Sequence, residues 1–192
     1  MIMQLDFELI LASKSPRRQQ LLKDLGFDFK VVTKDVDESF PLQLQAQEIP
    51  LYLCEHKANS FIEELKSDKT LVITADTIVW IENQVLNKPE NFDDAVRMLQ
   101  LLSGKMHEVF TGVCLKSKHK TKTFYAATKV YFKPLSADEI HYYITNYKPY
   151  DKAGAYGAQE WMGYVGVEKI EGSYFNVMGL PVKELYEELM LF

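Results

Sequence analysis

Near the N-terminus, a short apolar run passes directly into a strong helix-start signal, in the stretch ELILASKSPRRQQLLKDLG (residues 8–26). Glu8 to Ala12 predict a strand, and the leucines that follow predict an amphipathic helix. Ser15 suits the N-cap of that helix, Pro16 suits its first position, and Gly26 suits its stop. A strand that leads at once into a capped helix indicates an α/β protein.

The rest of the chain continues this mixture of strands and helices. Thr70 to Ala75 form a β-branched run typical of a buried central strand, and the residues after it predict a hairpin turning near Glu82–Asn83. The other predicted strands are one at Phe27 to Val32, two long strands joined near His119, and a last hairpin at Val165 to Val177, with loops at Asp35 to Gln47 and at 149–166. The other predicted helices are at Pro50 to Leu65, at Asp93 to Leu102, and at Pro181 to Met190. A further helix begins at Ser136, which forms a capping box with Glu139. The sum is α/β, a mixed twisted sheet with flanking helices, whose long antiparallel part forms a second lobe.

Charge and cysteine usage limit the classes of function. The 192 residues carry a formal net charge of −5, which argues against duplex nucleic acid as a partner. Cys54 and Cys114 have no CxxC spacing, and we expect both to be buried thiols in a reducing compartment. The first ten residues include acids and lack a basic region, and no apolar run approaches the roughly 18 residues of a membrane span. We therefore expect a cytoplasmic protein without a membrane partner.

Two arginines stand where a helix usually favours acids. Arg17 and Arg18 occupy the predicted first turn, which is the positive end of the helix dipole, so a negative partner is expected there. Backbone N–H groups at this end, the hydroxyls of Ser13 and Ser15, and two guanidinium groups would together suit an oligophosphate. The alternative is a pair of solvated arginines on a surface helix, because the stretch is not a P-loop.

Acidic residues follow two of the predicted strands. Asp76 comes directly after the buried strand, and Glu38, with Asp37 beside it, lies in the loop after the second strand. A carboxylate pair beside phosphates usually holds Mg²⁺ or Mn²⁺. The alternative for Asp76 is an N-cap or turn acid.

Three further side chains complete the candidate set. Lys57 and Lys88 are surface lysines by default, but with the two arginines they would neutralise a triphosphate. Gln159 offers one donor and one acceptor, which complement the C4 carbonyl and N3–H of uracil or thymine. The alternative for Gln159 is an amide that stabilises its loop.

Together these motifs resemble the Maf family, the septum-formation-protein-like nucleoside triphosphate pyrophosphatases. The resemblance spans nearly the whole chain, in order, through LASKSPRRQQLL, VDES, EHKA, ADTIV, NKP, LSGKMHEVFTGV, YDKAGAYGAQ and IEGSYFNVMGLPV. It implies one Maf-like domain over residues 1–192, with a Maf/ITPase-like fold and a deep cleft between two lobes. It also implies metal-dependent hydrolysis of nucleoside triphosphates to the monophosphate and pyrophosphate, by water attack on the α-phosphorus.

The resemblance also implies residue roles. Asp76 matches the proton acceptor, and Glu38 matches a metal-site acid that with Asp76 would hold the divalent cation. The phosphate-binding positions are Ser13, Arg17, Arg18, Lys57 and Lys88, and the positions tied to substrate choice are Arg17, Thr77 and Gln159. The form DKAGAYGAQ resembles the branch acting on dTTP and UTP rather than on 7-methyl-GTP, and modified pyrimidine nucleotides fit the same pattern. Glu160-Trp161 departs from the family, where a glycine commonly follows the glutamine.

The sequence leaves two hypotheses about function. The first is the pyrophosphatase, in which Asp76 serves as base, as metal ligand or as both, and which forms a homodimer if it follows many relatives. The second is a non-catalytic nucleotide-binding regulator of cell division, which would use the same cations. The acid pair discriminates between them, because pure anion binding gains nothing from carboxylates near phosphates unless a metal is held.

Overall fold

A computed structural model describes residues 5–192 and shows a mixed α/β fold. The described residues divide into two compact units. Unit 1 contains residues 5–76, 111–126 and 179–192, and unit 2 contains residues 77–110 and 127–178. Each unit is therefore assembled from segments that are distant along the chain.

The described residues contribute seven strands to one sheet. The strands are β1 (Glu8–Leu11), β2 (Phe29–Val31), β3 (Thr70–Ile81), β4 (Gln84–Leu86), β5 (Met106–Lys116), β6 (Thr121–Phe132) and β7 (Val167–Glu171). Their order is β2-β1-β3-β5-β6-β7, with β4 paired to β3. Strand β1 is parallel to β2 and β3, whereas β4 is antiparallel to β3 and β7 is antiparallel to β6. The predicted mixed sheet is confirmed.

Helices flank this sheet in both units. They are α1 (Pro16–Asp24), α2 (Glu48–Asn59), α3 (Phe92–Leu102), α4 (Ala137–Tyr147), α5 (Trp161–Val165), α6 (Tyr174–Met178) and α7 (Val182–Leu191), with short 3₁₀ turns at Glu64–Lys66 and Ala153–Ala155. Within the described part of the chain, no helix combines the length and apolarity needed to cross a bilayer.

Local capping signals predicted several boundaries correctly. Ser15 is the N-cap of α1, its side chain accepts a hydrogen bond from the Arg18 N–H, and Pro16 is the first helical residue. Gly26 follows the helix at φ +84°, a backbone conformation that glycine adopts without strain. Ser136 and Glu139 form the predicted capping box of α4. Cys54 and Cys114 are free and buried, as expected.

Helix α2 begins and ends earlier than predicted. It starts at Glu48, so Pro50 is its third residue, where the backbone N–H has no intrahelical partner and its loss costs little. The helix ends at Asn59 rather than at Leu65. Phe61 and Leu65 are buried nonetheless, through turns that keep their spacing, which explains why periodicity alone predicted a longer helix.

Strand β3 is longer than predicted. It continues through Asp76 and Thr77 to Ile81, so Asp76 lies within the strand rather than after its end. Pairing of Val79–Ile81 with β4 extends the strand, and the turn between them uses Glu82 and Asn83 at φ +49° and +59°. The alternative interpretation of Asp76 as a turn or N-cap acid is therefore wrong.

The final hairpin predicted at Val165 to Val177 is also wrong. Strand β7 ends at Glu171, and the aromatic residues after it begin α6. The Asn176 side chain in α6 donates to the Val109 carbonyl at 3.0 Å and to Thr128 Oγ1 at 3.0 Å. These buried contacts favour a helical turn over the strand that aromatic content suggests. The glycine-rich segment likewise contains α5 instead of being only a loop.

Gly112 in β5 provides a test of how unit 1 packs. A Cβ at this position would lie 2.5 Å from both the carbonyl carbon and oxygen of Pro50 in α2. We expect Gly112→Ala to lower the free energy of unfolding by about 1–3 kcal/mol, because the added methyl group would collide with the α2 backbone, which can make room only if the helix shifts. Urea unfolding measures this change. Lys122→Ala, which removes an exposed ion pair with Glu188, should cost less than about 1 kcal/mol; equal losses in the two variants would contradict the close approach.

Candidate active site

Two carboxylates of unit 1 converge on one ammonium group. Lys57 Nζ lies 2.5 Å from Asp76 Oδ1 and 2.8 Å from Glu38 Oε1. Only 16% of the Lys57 side chain and 13% of the Asp76 side chain are exposed, against 52% for Glu38. The cluster is therefore closed on the side of Lys57 and Asp76 and open to solvent at Glu38.

Helix α2 is fastened to β3 close to this cluster. The Thr74 hydroxyl donates to the Cys54 carbonyl at 2.6 Å. Cys54 lies three residues before Lys57 in α2, and Thr74 lies two residues before Asp76 in β3. Cys54, Ala58 and Cys114 form a fully buried cluster that seats the helix. Burial raises the pKa of the Cys54 thiol, and that of the Cys114 thiol to about 12. Both cysteines are therefore neutral packing groups rather than nucleophiles.

Arg18 joins α1 to the main chain beside Asp76. Its Nε donates to the Gly179 carbonyl at 2.7 Å and its Nη1 donates to the Ala75 carbonyl at 2.9 Å. Burial lowers the pKa of the guanidinium, and the charge of Arg17 acts in the same direction, whereas the charges of Asp76 and Glu38 raise it. Arg18 thus braces the residue before Asp76 and lies within the electrostatic reach of both acids.

The two serines shape the turn that precedes α1. The Ser15 N–H donates to Ser13 Oγ at 3.2 Å, and Gln19 Nε2 donates to the Ser13 carbonyl at 3.1 Å. Ser13 is buried, and the Ser15 hydroxyl caps the helix. Both hydroxyls therefore lie at the helix start that was predicted to bind phosphate, and their contact with a ligand stays a prediction.

The donor set near Lys57 fits a divalent cation only in part. Among residues 5–192, no group of three or more His, Cys, Asp or Glu side chains is arranged to hold a metal. Glu38 and Asp76 nevertheless already share one cation, the Lys57 ammonium. Two carboxylates are the protein share typical of Mg²⁺ sites that are completed by water and substrate phosphates. Asp37 instead accepts from the Ser39 N–H and hydroxyl, which holds the pKa of its carboxyl below its usual range.

The other predicted site residues belong to unit 2. Thr77 directly follows Asp76 in β3, and exposed Lys88 follows β4, next to Asn87, whose carbonyl accepts from the Gly154 N–H at 3.1 Å. Gln159 is half-buried before α5, and its main-chain carbonyl accepts from the Tyr164 hydroxyl at 2.6 Å. Their roles toward a ligand stay predictions.

Sequence reasoning missed several partners in and near these segments. Lys152 of the glycine-rich segment is buried and paired with Glu160 at 2.9 Å. Glu160 carried a signal, since it departs from the family pattern. Gly179, which accepts from Arg18, carried none, because a carbonyl acceptor is independent of side-chain type.

Comparisons with known proteins identify the family to which this chain belongs. The family model described as Maf-like protein matches residues 8–192. A dTTP/UTP pyrophosphatase of Bacteroides thetaiotaomicron is 53% identical over 184 residues, covering 95% of each chain. A dTTP/UTP pyrophosphatase of Flavobacterium johnsoniae is 54% identical over 183 residues, covering 95% of this chain and 94% of the relative. Among solved structures, the Ham1 protein of Staphylococcus aureus aligns with a TM-score of 0.47 and 14% identity, over 65% of this chain and 71% of that one.

The forked contact of Arg18 leads to a prediction about stability. We expect Arg18→Lys to lower the free energy of unfolding by about 1.5–3 kcal/mol, because a single ammonium cannot replace both arms of the guanidinium at Gly179 and Ala75. Urea unfolding measures the loss. Arg97→Lys is the control, since Arg97 makes an exposed ion pair with Asp94; an Arg18→Lys protein as stable as that control would contradict the bracing role.

Proposed function

The chain belongs to the Maf-like protein family, and from this premise we propose that it is a pyrophosphatase that hydrolyses dTTP and UTP to the monophosphate and pyrophosphate. The name of the relatives at 53–54% identity supports the substrate class. The physical observation that carries the proposal is the convergence of Asp76 and Glu38 on Lys57. An acid–lysine–acid arrangement suits a reaction in which a polyanion and a cation are bound together.

We assign phosphate binding to the start of α1 and to the nearby cations. Arg17 and Arg18 supply planar guanidinium groups that match phosphate oxygens, and the first-turn N–H groups add uncharged donors. Ser13 and Ser15 belong to the same set. The negative ligand explains why two arginines stand at the positive end of a helix dipole.

We assign the divalent cation, Mg²⁺ or Mn²⁺, to Glu38 and Asp76. When bound, it supplies positive charge that stabilises the departing pyrophosphate. Lys57 contacts both carboxylates at once, so the two acids of the site are held in place before substrate arrives. The open side of Glu38 gives solvent and phosphate access to this pair.

Asp76 is the proposed proton acceptor for the attacking water. Its Oδ1 accepts from Lys57, which leaves the water contact to Oδ2. The carboxylate is 13% exposed, enough for a water molecule to touch it while most of the group stays fixed by the strand. The water attacks the α-phosphorus in line, and pyrophosphate leaves as the cations neutralise its charge.

Three residues of unit 2 complete the assignment of roles. Lys88 belongs to the phosphate-binding cations, and Thr77 and Gln159 determine the choice of base, as does Arg17. The Gln159 amide donates to the C4 carbonyl of uracil or thymine and accepts from its N3–H. We further propose that both units act as one domain, that the protein works in the cytoplasm, and that it forms a homodimer.

A non-catalytic regulator of cell division is the less favoured function. It would need the cations at α1 but not two carboxylates beside them, since like charges repel the phosphates of a ligand. The relatives at 53–54% identity carry an enzyme name.

Product analysis tests the function directly. The protein is incubated with dTTP, UTP, CTP and GTP, each with Mg²⁺ or Mn²⁺, and products are separated by anion exchange. We expect nucleoside monophosphate and pyrophosphate in equal amounts from dTTP and UTP, and none when a chelator removes the metal. Nucleoside diphosphate with free phosphate, or no product from any triphosphate, would overturn the proposal.

Asp76→Asn tests the residue at the centre of the site. We expect a loss of turnover of about 10²–10⁴-fold in a protein that still folds, because the amide keeps the shape of the carboxylate but cannot accept a proton. Asp68→Asn is the matched control, since Asp68 is an exposed acid of unit 1 paired with Lys118. Pyrophosphate release by Asp76→Asn at the rate of that control would refute the role of Asp76.

A further inference from the structure

The glycine-rich segment of unit 2 contains an ion-pair network that the reaction itself does not use. Lys152 Nζ lies 2.9 Å from Glu160 Oε1, and the Tyr143 hydroxyl of α4 donates to Glu160 Oε2 at 2.6 Å. The same Tyr143 oxygen accepts from the Gly157 N–H at 3.0 Å. The Glu160 carboxylate thus connects Lys152 of the same segment to Tyr143 of α4.

Burial makes this network costly to break. Only 8% of the Lys152 side chain and 21% of the Glu160 carboxylate side chain are exposed, and Tyr143 is fully buried. Burial is the main cause that raises the pKa of Tyr143, and its hydrogen bond to the Glu160 carboxylate raises it further. An uncharged residue at position 160 would leave Lys152 with only the exposed carboxylate of Asp151.

The segment is also shaped around the pair. A Cβ on Gly157 would lie 2.9 Å from Glu160 Cδ and 3.0 Å from Lys152 Cε, so a larger residue at 157 would displace the pair. The Glu160 N–H donates to the Gly157 carbonyl at 3.1 Å, which closes a tight turn over residues 157–160. Gly157 and Glu160 are therefore both held, on either side of Gln159.

Gln159 is restrained from a third direction. The Tyr164 hydroxyl donates to its main-chain carbonyl at 2.6 Å, and the Tyr164 N–H donates to the Glu160 carbonyl at 3.2 Å. Tyr164 itself is 75% exposed, so its hydroxyl contact is not needed to fill a core. The main chain at Gln159 is thus restrained by the hydrogen bonds of Gly157 and Glu160 and by the Tyr164 hydroxyl.

A fixed main chain matters for an amide that reads a base. Uracil and thymine present an acceptor at C4 and a donor at N3, whereas cytosine presents a donor at C4 and an acceptor at N3. The two hydrogen bonds to uracil or thymine form only when the amide lies within reach of that edge of the base. The preference for these bases therefore depends on where the main chain at residue 159 holds the side chain.

We propose that Glu160 is a positioning residue for specificity, acting through Lys152, Tyr143 and the turn at Gly157 to hold the main chain of Gln159 where its amide reaches the C4–N3 edge of uracil and thymine. Tyr164 acts with it from the exposed side. This inference rests on the proposed function and on the assignment of the base to Gln159. It concerns which base is accepted, not whether the anhydride is cleaved.

The ratio of kcat/KM for UTP to that for CTP is the quantity that tests the proposal. We expect Tyr164→Phe to lower this ratio by about tenfold, the value of one hydrogen bond of roughly 1.4 kcal/mol, and Glu160→Gln to lower it further. The controls are Tyr142→Phe, at an exposed tyrosine, and Glu82→Gln, at an exposed ion pair with Lys105 in the same unit. Both controls should keep the wild-type ratio.

A purely structural role would lower activity toward both substrates alike or lower only thermal stability. An unchanged ratio in Tyr164→Phe and in folded Glu160→Gln therefore overturns the proposal. If Glu160→Gln does not fold, Tyr164→Phe alone decides, because its exposed hydroxyl is not part of the core. Gln159→Ala should abolish the preference itself.

Calorimetric titration with the α,β-methylene analogues of UTP and CTP separates this proposal from the proposed function. A wild-type protein that binds the UTP analogue more tightly, without cleaving UTP, would refute the pyrophosphatase but not the positioning role, provided Tyr164→Phe narrows the difference in affinity. A wild-type protein that cleaves UTP, with variants that keep its selectivity, would refute only the positioning role. A wild-type protein that binds neither analogue would refute both.

Discussion

The contact of Lys57 with Asp76 and Glu38 organises unit 1. An ammonium placed 2.5 and 2.8 Å from two carboxylates lets like charges approach each other at a position that is closed to water around Lys57 and Asp76 and open at Glu38. The rest of the unit serves that placement: Thr74 and the Cys54–Cys114 packing hold α2 against β3, and Arg18 braces the strand one residue before Asp76. The charges of the site are thus held in place by a hydroxyl, a buried apolar cluster and main-chain carbonyls that accept from Arg18.

Local signals were sufficient wherever the determinant lies within a few residues. The cap at Ser15, the proline after it, the glycine stop at Gly26 and the capping box at Ser136 were all predicted, because each depends on one side chain and its nearest backbone. The class of fold followed from the alternation of strand and helix patterns. The cations, acids and amide proposed for the site were also singled out by type and position.

Features decided by distant partners were not predicted. Asp76 lies inside β3 because β4 pairs beyond it, and α6 is helical because Asn176 finds buried acceptors in two strands. The pairing of Lys152 with Glu160 depends on a glycine at 157 and a tyrosine in α4, which no spacing rule connects. Charged residues that satisfy each other in the fold look like ordinary surface residues in the sequence.

The bond from Arg18 to the Gly179 carbonyl joins positions 161 residues apart, and unit 1 includes the last 14 residues of the chain. During synthesis, β1 and α1 leave the ribosome before any residue of unit 2, yet their unit is completed only by residues 179–192, which follow all of unit 2. Unit 2, which ends at residue 178, has all its residues synthesised earlier. Unit 1 therefore begins to emerge first and is completed last, and β1 and α1 wait for their remaining partners while all the residues of unit 2 are synthesised.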